Sequence, residues 1–202
     1  MTQTWSDLLF AHWPVDPAIL APTIPTGLEL DLFDGRAWIG VVPFRMTNVA
    51  PRVLPAVPST SAFPELNVRT YVRLAAGRPG VYFYSLDAAS TLAVIGARLM
   101  FHLPYYRASM RVETTGDVVS YDSRRRSLRR DVDEADRADR EGARPARRSP
   151  AALRASYAPI GPSFHPRAGT LEHFLTERYC LYAVRRGGRV LAVDIHHPPW
   201  AL

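Results

Sequence analysis

The sequence predicts an α+β fold in which a strongly curved or closed antiparallel β-barrel or sheet wraps one buried apolar helix. Three observations predict it. Eighteen prolines and twelve glycines are spread along the 202 residues rather than clustered, which divides the chain into many short elements. Turn residues at Asp34-Gly35, Thr115-Gly116-Asp117 and Gly187-Gly188 each separate two stretches of strand composition, the mark of a hairpin. One stretch, Asp87 to about Phe101, is apolar on nearly every face of the helix it implies, and a helix apolar all round is buried.

The elements follow in order. Trp5 to Trp13 mixes aromatic and aliphatic residues around His12, and Asp16-Pro17 supplies a cap and a first-turn proline for a short helix through Leu20. Leu28 to Phe33 and Arg36 to Met46 form the first hairpin, because both residues of Asp34-Gly35 tolerate positive φ. Ala50 to Pro64 carries four prolines and is expected to be a long loop over one end of the sheet. Leu66 to Leu74 alternates with imperfect phase, Val68, Thr70 and Val72 against Asn67, Arg69 and Arg73. Gly77 to Gly80 turns the chain into a strand from Val81 to Leu86, and the apolar helix follows. Tyr106 to Glu113 and Val118 to Arg124 make the second hairpin. A short helix near Leu171 to Leu175 leads into the third, Arg178 to Arg185 and Arg189 to Ile195. The total is about nine strands around one helix.

Composition bounds the function. At 47% hydrophobic content the chain fills one core of ordinary size, so residues 1–202 are expected to be a single domain. No run reaches the ~18 apolar residues of a membrane span, and the first residues lack a signal-peptide layout, so a cytoplasmic protein without a membrane partner is expected. The single cysteine, Cys180, has no internal partner and agrees with a reducing compartment. The net charge is +6, yet all 25 basic residues are arginine and the chain contains no lysine. Ten of those arginines lie between Asp122 and Arg148 among seven acids, so the local field largely cancels. The stretch at about 122–150 is therefore expected to be a solvated, partly disordered loop, and no nucleic-acid partner is expected. Homo-oligomers are compatible with the sequence.

Five motifs carry a resemblance: Phe63-Pro64-Glu65-Leu66-Asn67-Val68-Arg69-Thr70-Tyr71-Val72, Tyr82-Phe83-Tyr84-Ser85-Leu86-Asp87, Leu103-Pro104-Tyr105, Leu175-Thr176-Glu177-Arg178-Tyr179 and His197-Pro198-Pro199-Trp200. Together and in this order they resemble the uncharacterised YqjF-like family, DUF2071, over most of the chain. Members of that family usually continue past the Pro-Pro-Trp motif, so a closing element is expected beyond Leu202. The family is similar, at a distance, to acetoacetate decarboxylase, and the resemblance implies that fold. The decarboxylase fingerprint runs Gly-Arg-Glu, two residues, Gly, one residue, Pro-Lys-Lys, with a Schiff-base lysine. Here the stretch reads Ala97-Arg98-Leu99-Met100-Phe101-His102-Leu103-Pro104-Tyr105-Tyr106. The arginine and proline keep their spacing, whereas tyrosines stand at both lysine positions and Leu99 replaces the glutamate. A phenol forms no iminium, so Schiff-base decarboxylation by a side chain is excluded.

The resemblance points to a central cavity binding a small carboxylate or carbonyl compound. Arg98 is the candidate carboxylate clamp; its other reading is a cation in the last helical turn, paired with Glu65. Glu65 is a candidate general base, or else half of an ion pair with Arg69 or Arg98. Tyr105 and Tyr106 offer hydroxyls to a carbonyl, but neighbouring strand residues diverge, so at most one points inward. Arg69, Arg178 and His102 complete the substrate-binding candidates, although Arg178 also has Glu177 or Glu172 as a structural partner. His196-His197 diverge along a strand without a carboxylate at ligand spacing, so no metal is expected. No cofactor is implied. Proton transfer beside a carbonyl, or hydrolysis, stays open as the chemistry; so does a non-enzymatic sensing or assembly module whose cavity groups pair internally.

Overall fold

The computed structural model describes residues 2–50, 62–75, 77–91, 94–95, 103–126, 151–185 and 187–202. The expectations for Arg98, His102, the proline-rich run 51–61, most of the apolar helix and the charged stretch after residue 126 lie outside these residues.

Eleven strands are present among the described residues: β1 Thr2–Ser6, β2 Ala11–Val15, β3 Glu29–Leu30, β4 Ala37–Ala50, β5 Phe63–Arg73, β6 Pro79–Ala88, β7 Tyr105–Thr115, β8 Val118–Arg125, β9 Ala152–Tyr157, β10 Cys180–Val184 and β11 Val190–Asp194. Two short helices, α1 Pro17–Leu20 and α2 Leu171–Thr176, accompany them. Asp16 caps α1 by accepting from the Ala18 backbone N–H, as its place before Pro17 predicts. No helix among the described residues is long and apolar enough to cross a membrane.

The strands form one strongly curled sheet, a half-barrel, in the order β1-β4-β5-β6-β7-β8-β9. The long strands β4, β5 and β6 make its centre. The remaining edge of each is divided: β1 and β2 share β4, β3 meets β5 beyond the end of the β4 ladder, and β7 and β10 share β6. The pairings of β6 with β7 and with β10 are parallel, so the sheet is mixed rather than purely antiparallel. The turn at Asp34-Gly35 forms with φ of 48° and 72°, but its ladder stops after Phe33 and Arg36. The flanking strands find other partners, since burial against β5 outweighs local hairpin pairing. The other two hairpins form as predicted, and β9 joins β8 without having been foreseen.

Register decides what faces inward. Residues directly opposite across an antiparallel pair share a face. Phe63, Glu65, Asn67 and Arg69 of β5 stand opposite Met46, Phe44, Val42 and Gly40 of β4. On β6, Ala88, Leu86 and Phe83 stand opposite Glu65, Asn67 and Arg69, and Val81 stands opposite Tyr71, the last two pairs reached after the register shifts past Tyr84. Val42, Phe44, Met46, Phe63 and Ala88 pack into one core cluster with Val94, and Tyr71, Val81, Phe83 and Leu86 pack into another with Leu175. Glu65, Asn67 and Arg69 therefore belong to the core face. Ile95, next to Val94, is half exposed, so the expected burial on every helix face does not hold at that position. On the opposite face, Leu28, Val72, Cys180 and Tyr182 form a third cluster. Arg125 binds Asp87 through both Nε and Nη2 and ties β8 to that outer side, and Arg45 Nη2 ties β7 to it through the Val112 carbonyl.

Gly80 lets β10 reach β6. A Cβ there would stand 2.7 Å from the Cys180 carbonyl oxygen and 2.9 Å from the Tyr182 ring. Gly80→Ala is expected to lower stability by about 1 to 3 kcal/mol, the usual cost of overpacking, read as a lower urea midpoint at unchanged slope.

Candidate functional site

The core face of β5 carries a buried polar row, Glu65, Asn67, Arg69 and Tyr71, each no more than 5% exposed. The alternation expected from Leu66 to Leu74 is real, but its polar phase points in. Val68, Thr70 and Val72 face the other way.

At one end of the row, Glu65 accepts a hydrogen bond from the Tyr105 hydroxyl at 3.0 Å. Tyr121 approaches the same residue and donates to its backbone carbonyl at 2.7 Å. Burial, offset in part by Tyr105 and reinforced by the charge of Asp87, raises the Glu65 carboxyl to about 8. Neither Arg69 nor any other described cation forms an ion pair with it. Tyr105 and Tyr106 diverge as strand geometry requires. Tyr105 is drawn to Glu65, and Tyr106 lies outside beneath the Arg125 guanidinium, 3.9 Å from its ring centre.

At the other end, Arg69 lies near the rings of Phe10 and Tyr71, its guanidinium 5.4 and 5.7 Å from their centres. Its Nη2 donates to the Leu175 carbonyl at 3.1 Å, near the end of α2. The Tyr71 hydroxyl donates to the same carbonyl at 2.8 Å and lies 2.6 Å from His12 Nε2. Burial first, and the Arg69 charge second, lower the His12 imidazole to about 3, so it is neutral at ordinary pH. Gly40 makes this arrangement possible: a Cβ there would lie 2.9 Å from the His12 ring and 3.3 Å from Arg69 Cγ. Arg178 has a settled environment. It donates to Asp31 at 2.6 Å and to the Phe174 carbonyl at 2.6 Å, so its partner is Asp31 rather than Glu177 or Glu172. Glu177 instead accepts from the Tyr179 hydroxyl and the Trp200 backbone N–H.

Unpartnered atoms single out this face. Among the described residues, six buried side-chain nitrogen or oxygen atoms lack a hydrogen-bond partner: Trp5 Nε1, Trp38 Nε1, Asn67 Nδ2 and Oδ1, Arg69 Nε and Ser123 Oγ. Trp5 stands opposite Met46, and the β4–β5 ladder extended by one residue brings Trp38 to Tyr71, so five of the six belong to the core face. A buried polar group without a partner costs about 1 to 3 kcal/mol, so these atoms make the core face the candidate site. Asn67, Trp38, Trp5 and His12 were not singled out in the sequence. The available signals were an asparagine inside a strand, where it is disfavoured, and Gly40 in the strand beside it.

Elsewhere, Cys180 is a free, buried thiol whose pKa burial pushes up. The His197 ring stacks 4.4 Å from Tyr179, and no group of three metal-binding side chains occurs among the described residues. A depression of about 370 Å³ between β8 and β9 is lined in part by Asp122 and Arg154, which already pair with each other at 2.9 Å.

Residues 2–202 match the family DUF2071, described as an uncharacterized conserved protein. The uncharacterized protein YqjF of Bacillus subtilis (strain 168) is 47% identical over 202 residues, all of this chain and 74% of the relative. Among solved structures, an acetoacetate decarboxylase-like enzyme from Sphingomonas wittichii RW1 superposes with a TM-score of 0.56 at 15% identity, over 94% of this chain and 69% of that one. The enduracididine biosynthesis enzyme MppR, complexed with the condensation product of pyruvate and imidazole 4-carboxaldehyde, superposes with a TM-score of 0.57 at 12% identity, over 95% and 68%. At such identities the likeness is one of fold.

The two shifted groups predict opposite pH effects. Glu65 keeps its proton to about 8 when folded and loses it near 4.5 when unfolded. Its contribution to stability therefore falls by about 1.4 kcal/mol per unit as pH rises through that window and is flat above it. His12 stays neutral down to about 3 when folded but takes a proton near 6.5 when unfolded, so its contribution falls as pH drops from 6.5 to 3. From 4.5 to 6.5 the slopes oppose each other. Urea unfolding across pH should show Glu65→Gln gaining on the wild type between pH 5 and 8 and holding that gain above, while His12→Phe flattens the acid limb.

Proposed function

The chain belongs to the DUF2071 family, and from that premise we propose that it binds a small carboxylate or carbonyl compound against the core face of its half-barrel. One observation carries the reading: both amide atoms of Asn67 and the Nε of Arg69 are buried side by side without partners. Arg69 supplies a charge-assisted donor, Asn67 a donor and an acceptor, and Tyr105 a hydroxyl. Arg98 and His102 remain proposed ligand contacts on the strength of their motif. MppR, which shares the fold, holds pyruvate in another of its structures, and a small oxo acid suits these donors.

Any catalysis would be proton transfer beside a carbonyl, or hydrolysis. The chain contains no lysine, so no side-chain amine can become the iminium that drains electrons from a decarboxylating oxo acid. Glu65 is suited to the alternative, because a carboxyl near 8 exchanges a proton readily around neutral pH. We place this activity in the cytoplasm. The non-enzymatic reading is favoured by the Arg69–Leu175 and Arg178–Asp31 bonds, which hold both arginines by internal contacts. Glu65→Gln separates the two: a catalyst loses turnover and keeps affinity, whereas a sensor has no turnover to lose.

Two outcomes test the proposal. Asn67→Leu should leave the free protein as stable as the wild type or more so, and should abolish the thermal shift produced by a panel of oxo, hydroxy and aromatic acids. Destabilisation with the shifts intact would make Asn67 structural. Incubation with pyruvate and borohydride should leave the intact mass unchanged, and a stable adduct would sink the amine-free chemistry.

A further inference from the structure

The polar row has two separate ends, and β5 fixes the distance between them. Arg69 Nε and Asn67 Nδ2 are free donors at one end, with the Trp38 indole Nε1 on the neighbouring strand. At the other end stand Glu65, the Tyr105 hydroxyl bonded to it and the free indole Nε1 of Trp5, which stacks on Phe44 opposite Glu65. The first end holds a buried cation that, among the described residues, pairs with no carboxylate and donates to the Leu175 carbonyl. The second lacks a described cation in contact, and Asp87 adds negative charge behind it.

Alternate residues on one face of a strand lie about 6.7 Å apart, so Glu65 and Arg69 are separated by about 13 Å along β5, with Asn67 halfway. A group bridging Asn67 and Arg69 thus sits roughly 10 Å from Glu65. The flanking residues at Asn67 are Val42 and Leu86, and those at Glu65 are Phe44 and Ala88, all buried and apolar. The surface between the two ends favours hydrocarbon.

Resting on the binding function proposed above, we infer that this face reads an elongated acid: a carboxylate at Arg69 and Asn67, an apolar chain along Val42 and Leu86, and an uncharged carbonyl or hydroxyl oxygen at Glu65 and Tyr105. A short oxo acid, whose two polar groups are adjacent, reaches one end only. The Glu65 end takes the uncharged group because it offers hydrogen bonds from the protonated Glu65 carboxyl, oriented by Tyr105, and from the Trp5 indole, without a compensating cation.

Calorimetric titration of the full chain at pH 7 with acetoacetate, 4-oxopentanoate, 7-oxooctanoate and octanoate tests the inference. Affinity should rise along the oxo series, with 7-oxooctanoate at least about tenfold tighter than acetoacetate, as added methylenes leave water. It should also bind more tightly than octanoate. Asn67→Leu should weaken every acid, whereas Tyr105→Phe should erase the advantage of 7-oxooctanoate over octanoate while octanoate affinity stays. Circular dichroism would check that both variants fold. If acetoacetate binds as tightly as 7-oxooctanoate and loses affinity in Asn67→Leu, the elongated ligand is wrong and the binding site stands. If none of the four acids binds, the proposed function falls, and the inference with it.

Discussion

The fold rests on one unusual strand. β5 is the middle of the central trio, covered on both faces, yet it turns a glutamate, an asparagine and an arginine toward the core. Burial of such groups is tolerated only where hydrogen bonds or charge neutralisation offset it. Three devices supply this. Glu65 holds its proton and takes a bond from Tyr105; Arg69 reaches a helix-end carbonyl and packs near two rings; Tyr71 is held by the same carbonyl and by His12. Asn67, between them, has no such device. The neighbours on β4 and β6 are apolar, so the polar row stands in an otherwise greasy wall.

Much of the architecture was legible because it is written in local chemistry. Asp16-Pro17 started a helix, Thr115-Gly116-Asp117 turned a hairpin, and the motif order identified the family and with it the fold. What escaped was set by tertiary context. Asp34-Gly35 turned as its residues demand, but the ladder behind it was lost to competition from β5. The alternation of β5 was legible, but which of its phases faces the core was not, because both faces of the strand are covered. A local violation of patterning marks a place shaped by something other than stability.

The candidate site was legible in part. Glu65, Tyr105 and Arg69 were named from motif and chemistry, and the structure brings Glu65 and Tyr105 together while holding Arg69 farther along the same face. The misfit of an asparagine in a strand hinted at Asn67, but the missing partners of Asn67 and the two indoles were invisible for a physical reason. An unpaired amide differs from a paired one only in its surroundings, and these depend on strands far apart in sequence. Arg178 shows the converse: its charge suggested a ligand, whereas its contacts with Asp31 and the Phe174 carbonyl make it a clasp for the end of α2.

The extra residue at Tyr84 controls the inner wall of β6. On one side of it Val81 and Phe83 face the core, and on the other Leu86 and Ala88 do, because the bulge resets the alternation by one step. Were Tyr84 paired regularly, with no bulge, the far half of the strand would be rotated by a half-turn. Leu86 and Ala88 would be delivered to the outside, and Asp87 would swing in beside Glu65, setting two buried carboxyls against each other. Leaving one residue unpaired thus keeps the acid that grips Arg125 apart from the acid that faces the core.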